Sequence, residues 1–189
     1  MTEFTIHTPE TAPEAARPVL DGAKASLGFV PNLFATMAEA PALLNAYSQL
    51  GELLNQTSFS PTEQQVVLMT NNRLNGCDYC MAAHTTISQA SGVPADVIEA
   101  LRTGTVIADP KLEALRQFAI VVNETRGWPQ PSDLEAFFAA GYARQQVLEV
   151  VLGTAFKVLS NYTNHVADTP LDAAFQANAW TAGDVKTAA

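Results

Sequence analysis

Helical periodicity constrains this chain more than any other feature. Apolar residues recur at three- and four-residue intervals from Ala12 to Ala177, and Ala and Leu, both strong helix formers, dominate those stretches. Alternating β-branched runs closed by Asn-Gly or Asp-Gly turns, the mark of strands in hairpins, are missing. The stops and starts point the same way. Ser60-Pro61-Thr62-Glu63 supplies an N-cap serine, a proline at the first helical position and a glutamate at the third, which is the pattern of a capping box. Comparable entries stand at Val93-Pro94, Pro131-Ser132-Asp133-Leu134-Glu135 and Thr169-Pro170. The pattern predicts helices over 12–26, 32–38, 40–55, 61–74, 77–91, 94–102, 109–125, 132–140, 143–165 and 170–178. Gly127-Trp128-Pro129-Gln130-Pro131 reads as an internal hinge, while 1–11 and 179–189 read as tails. The expected architecture is a single all-α domain over 12–178.

An internal duplication is also suggested. An offset of 81 places lays Gln64-Gln65-Val66 on Gln145-Gln146-Val147 and His84 on His165, with the two cysteines falling on Val158 and Asn161. The expectation is two helical hairpins of one design, the first around 60–97 and the second around 141–178, of which only the first kept thiols.

Composition excludes several function classes. Hydrophobic residues make up 48% of the 189 and charged ones only 15%, enough apolar matter for a sizeable core. Ten Lys+Arg against nineteen Asp+Glu leave a net charge of −9, so phosphate backbones repel the chain and nucleic acid is not an expected partner. With so few charges, some apolar surface is expected to be buried between subunits. No run approaches the ~20 apolar residues of a membrane span, and the start, from Met1 to His7, has neither the basic nor the apolar stretch of a secretion signal. No membrane association and a cytoplasmic location are the expectations. Both cysteines sit in one C-x-x-C, which in a reducing compartment reads as redox or metal chemistry.

The chemistry concentrates in Asn75-Gly76-Cys77-Asp78-Tyr79-Cys80-Met81-Ala82-Ala83-His84. Gly76 breaks one helix and the next apolar stretch starts just after it, so Cys77 falls at a helix N-terminus with Cys80 one turn further in. Free backbone N–H groups and the positive dipole end favour thiolate there. Positions 77, 80 and 84 are related as i, i+3 and i+7, so both sulfurs and the imidazole share one helix face. A thiolate is a nucleophile, and a histidine one turn away can take its proton or protonate a leaving alkoxide. Three readings fit the trio. It could be two buried small hydrophobes with a satisfied core histidine. It could be zinc, for which Cys77, Cys80, His84 and His165 are the sole plausible four-ligand set. The favoured reading is a redox-active dithiol with no metal or other cofactor.

With a polar helix leading into Asn-Gly-Cys-x-x-Cys-x-x-x-His, the chain resembles the alkylhydroperoxidase D-like branch of the carboxymuconolactone decarboxylase superfamily. The core resemblance covers about 60–97, and softer similarity runs from Leu27-Gly28-Phe29-Val30-Pro31-Asn32-Leu33 through Asn161-Tyr162-Thr163-Asn164-His165. The resemblance implies an all-α fold of two related helical repeats and a homo-oligomer, trimer or hexamer. It also implies reduction of a hydroperoxide by a cysteine pair recycled by an external dithiol. In that family pattern Cys80 matches the attacking cysteine, Cys77 the resolving one, and His84 the histidine after the second thiol. Two positions depart from it: the relay glutamate falls on Gln65, and a relay histidine on Tyr79. An amide accepts no proton at neutral pH, so Gln65 can orient a water but not act as a base. Glu63 lies about 200° around the same helix and does not replace it.

Thiol-dependent peroxidase activity is therefore the expected function, with Gln65 and Tyr79 positioning water or leaving group. Lactone decarboxylation, the chemistry that names the superfamily, is one alternative, and the cysteine pair counts against it. A non-catalytic redox- or zinc-responsive binding module is another. Glu149 in an apolar helix reads as a solvated or salt-bridged carboxylate, and His165 as a core or contact histidine. Phe29, Phe34, Phe137, Phe138 and Phe156 read as core or interface anchors, Trp128 as a loop staple, and Asn161, Tyr162 and Asn164 as a cap and turn.

Overall fold

Ser60 starts the helix around which the others gather. Its hydroxyl accepts from the Glu63 backbone N–H while the Glu63 carboxylate accepts from the Ser60 N–H, the reciprocal pair that Ser60-Pro61-Thr62-Glu63 predicts. The computed structural model describes residues 4–185, and 1–3 and 186–189, the ends of the two expected tails, lie outside them. Nine α-helices span the described residues: α1 Arg17–Leu27, α2 Asn32–Met37, α3 Pro41–Leu54, α4 Pro61–Leu74, α5 Asp78–Ala90, α6 Ala95–Thr103, α7 Pro110–Glu124, α8 Pro131–Ala139 and α9 Arg144–Ala167. No strand occurs among them.

Two expected helices are shortened. Over 12–26 the chain enters through a 3-10 turn, Glu14–Ala16, before α1 begins. Pro18 has no N–H for the i→i−4 ladder and fits only the first turn of a helix, so α1 starts at Arg17. Over 170–178 the helix is a 3-10 segment, Ala173–Asn178, entered from Asp172, whose carboxylate is held by Asn32 and Tyr79.

α4 is central. Every residue from Gln65 to Asn72 is buried, because α5, α6, α7 and α9 cover it on different sides. Two apolar clusters meet across it. One gathers Val66, Val67 and Met69 of α4 with Leu101, Leu115, Phe118, Phe137 and Val150. The other gathers Leu20, Leu33, Met37, Leu44 and Tyr47 of the first three helices with Leu68, Cys77, Tyr79, Cys80 and Phe156. The 81-place offset lays most of α4, the break at Gly76 and most of α5 on α9, so around 141–178 the chain forms one continuous 24-residue helix and a 3-10 segment where a second hairpin like α4–α5 is expected. Beyond 178 the chain lies against the helices: Trp180 Nε1 donates to Arg102 O at 3.1 Å, and Ala182 N to Asp78 Oδ1 at 3.0 Å.

Candidate functional site

The junction between α4 and α5 fixes the first cysteine. Gly76 takes φ +66°, a conformation glycine adopts without strain, so that its N–H reaches Arg73 O at 3.0 Å and the Cys77 N–H reaches Asn72 O at 2.9 Å. These paired bonds are a Schellman closure of α4. Cys77 then caps α5, and its carbonyl accepts the first helical bond from the Met81 N–H at 3.0 Å. Closing one helix and opening the next within two residues puts Cys77 at a helix tip with Cys80 one turn on.

Both sulfurs are buried and unbridged. Asn164 of α9 joins them: its Nδ2 donates to Cys80 Sγ at 3.2 Å and to Cys77 Sγ at 3.6 Å. The pair titrates unequally. The Cys77 thiol is pushed far up, first by its hydrogen bond with Cys80 and then by burial and the charge on Cys80. For Cys80 burial acts upward too, but the hydrogen bond from Cys77, the Lys157 ammonium and the polar side chains of Ser160 and Asn161 outweigh it, and its pKa ends well below the ordinary thiol value. The two directions favour Cys80 as the thiolate of the pair and Cys77 as its protonated partner.

His84 does not hydrogen-bond either sulfur. Its Nδ1 lies 2.9 Å from Gln65 Oε1 and its Nε2 lies 3.0 Å from Lys157 Nζ. An amide oxygen only accepts and an ammonium only donates, so the imidazole carries its proton on Nδ1 and accepts through Nε2. Burial, reinforced by the Lys157 charge, holds its pKa well below the usual histidine value, and the ring is neutral at pH 7. Gln65, where the family pattern has a carboxylate, therefore fixes the tautomer of His84.

A cavity of about 500 Å³ opens onto this group. Cys80, His84 and Lys157 line it together with aromatic rings, among them Phe29, Phe34, Tyr47 and Phe156; Cys77 does not. Of the two sulfurs, Cys80 is thus the one on the cavity wall. The Tyr79 ring is part of the wall, but its hydroxyl is spent elsewhere, donating to Asp172 and accepting from Leu33 N at 3.2 Å. Tyr79 thereby ties α5 to the start of α2 and to the segment after α9.

Lys157, Asn161 and Asn164 were missed as site residues. Asn161 and Asn164, which read as a cap and turn, lie inside α9, with Asn161 Nδ2 donating to Asn72 Oδ1 at 3.0 Å. Their signal was the spacing 157, 161, 164: one polar, buried stripe on a helix whose earlier buried positions, Val150 and Gly153, are apolar or small. His165 is exposed beside Tyr162, so the four-ligand zinc set is not assembled, and no three His, Cys, Asp or Glu side chains among the described residues converge as metal ligands. Glu149 accepts from Ser58 N at 3.0 Å and Ser58 Oγ at 2.6 Å, bracing the turn before α4. Phe137 and Phe156 are buried anchors, whereas Trp128 is 80% exposed and staples nothing.

An all-helical fold with a buried dithiol at a helix tip, open to an aromatic-walled cavity, defines the class of protein. The comparisons place it more narrowly. Residues 41–120 match the Carboxymuconolactone decarboxylase family, and that segment holds both cysteines, His84 and Gln65. Among solved structures the chain is similar to an uncharacterized peroxidase-related protein with an alkylhydroperoxidase AhpD core from Ralstonia eutropha JMP134. That pair has a TM-score of 0.82 and 21% identity, over 92% of this chain and 93% of the other. It is also similar to a Cys-to-Ala variant of the debrominase Bmp8 in complex with 2,3,4-tribromopyrrole, with a TM-score of 0.76 and 23% identity over 94% and 96% of the two chains. A peroxidase-related protein from Silicibacter sp. TM1040 gives a TM-score of 0.76 and 20% identity over 92% and 95%. No curated protein matches the chain. The chain has the alkylhydroperoxidase D-like fold, and the match to the Carboxymuconolactone decarboxylase family covers its residues 41–120. No helix among the described residues is long and apolar enough to cross a membrane.

Proposed function

We propose that the chain is a thiol-dependent peroxidase that reduces hydroperoxides through a dithiol–disulfide cycle. The Cys80 thiolate attacks the terminal oxygen of ROOH; the O–O bond breaks, Cys80 becomes a sulfenic acid and RO⁻ departs. The Cys77 thiol then attacks the Cys80 sulfur, the S–S bond forms, and the Cys77 proton leaves with the hydroxyl as water. An external dithiol reduces the disulfide and is itself oxidised.

One observation carries this reading: Cys80 stands on the cavity wall with Lys157, while Cys77 stands behind it off the wall; the opposite pKa directions of the two thiols, Cys80 down and Cys77 up, agree with that order. Asn164 supports it by donating one amide group to both sulfurs, which keeps them adjacent. The peroxidase-related names of two structural neighbours agree with it.

Mass spectrometry after exposure to a hydroperoxide tests it. Wild-type protein is expected to lose both thiols to an internal disulfide. Cys77→Ser is expected to stop at a sulfenic acid on Cys80 that a dimedone probe traps, and Cys80→Ser to consume no peroxide. Peroxide consumption by Cys80→Ser at the wild-type rate refutes the assignment.

A further inference from the structure

We infer that Lys157 is the acid that protonates the departing alkoxide, filling the place of the relay carboxylate that Gln65 cannot supply. This rests on the peroxide reading above. Lys157 is fully buried in the C-terminal half of α9, yet it lines the cavity beside Cys80 and His84. An ammonium has three N–H donors. Among the described residues only one is engaged, toward His84 Nε2 at 3.0 Å, which leaves two uncommitted in a side chain that lines the cavity.

The groups facing Lys157 decide what it can do. On the cavity wall with Lys157, α5 presents Cys80 and His84 and α3 presents Tyr47 and an exposed Glu52, while the neutral Gln65 of α4 holds the other nitrogen of His84. A buried cation needs an anion close by, and the buried one on this wall is the Cys80 thiolate. His84 cannot be the acid. Its one proton goes to Gln65 and its lone pair is taken by Lys157, so it presents no proton to a substrate. It is instead a positioning residue, holding the ammonium beside the sulfur.

The protons balance. Before reaction the wall holds Cys80–S⁻, Lys157–NH₃⁺ and Cys77–SH. Attack on ROOH gives Cys80–SOH and RO⁻, and RO⁻ takes a proton from Lys157 to leave as ROH. Cys77–SH then condenses with Cys80–SOH to the disulfide and water. After the external dithiol has reduced that disulfide, Cys80–SH returns its proton to Lys157, which restores the ion pair.

Leaving-group dependence separates an acid from a residue that merely stabilises the thiolate. An alkyl hydroperoxide expels a basic alkoxide that needs a proton, whereas a peracid expels a carboxylate that does not. Stopped-flow oxidation of Cys80 by both oxidants gives a rate ratio in which the fraction of thiolate cancels. In wild-type protein, rates across hydroperoxides of differing alcohol acidity are expected to be nearly level. In Lys157→Met the ratio of alkyl hydroperoxide to peracid rate is expected to fall about 100-fold, the lower end of what general-acid catalysis supplies. Lys157→Arg, which keeps the charge on a group too basic to release a proton, is expected to lower the ratio similarly. A ratio unchanged in both variants, or a steep leaving-group dependence already present in wild type, overturns the inference while leaving the peroxidase reading intact. Failure of Cys80 to react with either oxidant overturns both.

Discussion

The two halves of α9 bury the same helix face in different chemistry. In the N-terminal half the inward positions are Val150 and Gly153, and Gly153 brings α9 so near α4 that a Cβ would lie 2.7 Å from Val67 Cγ1. In the C-terminal half they are Lys157, Ser160, Asn161 and Asn164, with Phe156 at the boundary. The first half is close apolar packing. The second is a set of donors directed at two sulfurs, at His84 and at Asn72. Buried polar groups cost free energy unless paired, so a change of this kind along one stripe marks where packing gives way to chemistry.

Three further measurements can break or sharpen that contrast. Removing the bridge between the sulfurs has the largest expected effect: Asn164→Leu deletes a hydrogen bond to an ionised group, worth about 1.5–3 kcal/mol. The pH at which Cys80 alkylates at half its maximal rate is therefore expected to rise by about one to two units. An unmoved titration would mean that Asn164 is only packing.

Next comes His84, whose folded-state pKa lies well below its unfolded value of ~6.5. Below that pH the unfolded chain binds a proton that the native ring refuses, so stability falls as pH drops and levels off above it. The slope is up to about 1.4 kcal/mol per pH unit from this one group. Urea midpoints between pH 5 and 8 for wild type and His84→Gln are expected to converge as pH falls; parallel curves would place a charged imidazole in the fold.

The smallest effect belongs to the apolar half. Gly153→Ala gains about 0.8–1 kcal/mol in helix propensity. It forces a Cβ onto a β-branched neighbour that has little rotamer freedom, and overpacking of that kind costs about 1–3 kcal/mol. A net destabilisation of about 1 kcal/mol in urea unfolding is expected, with Cys80 alkylation unchanged. A shifted thiol titration in this variant would show that the two halves are not independent.

Local signals were legible where chemistry and backbone geometry share a few consecutive residues. Ser60, Pro61 and Glu63 announce the start of α4, Gly76 its end, and Cys77 the start of α5, and each acts within one turn of its own position. The expected helices 61–74 and 77–91 accordingly lie within a residue of α4 and α5. Tyr79 shows the limit of that legibility. Its place in the motif suggested a hydroxyl for the reaction, but the partner that claims the hydroxyl, Asp172, lies 93 residues away in the chain.

The sequence by itself determined the helices, the cysteine pair and the tip on which it sits, because capping, glycine conformation and i, i+3 spacing are short-range effects. Which sulfur carries the charge was decided only in three dimensions. The Lys157 ammonium and the polar side chains of Ser160 and Asn161, about 80 residues distant along the chain, lower the Cys80 pKa against its burial, and the strength of each depends on a separation that only the packing of α9 against α4 and α5 sets.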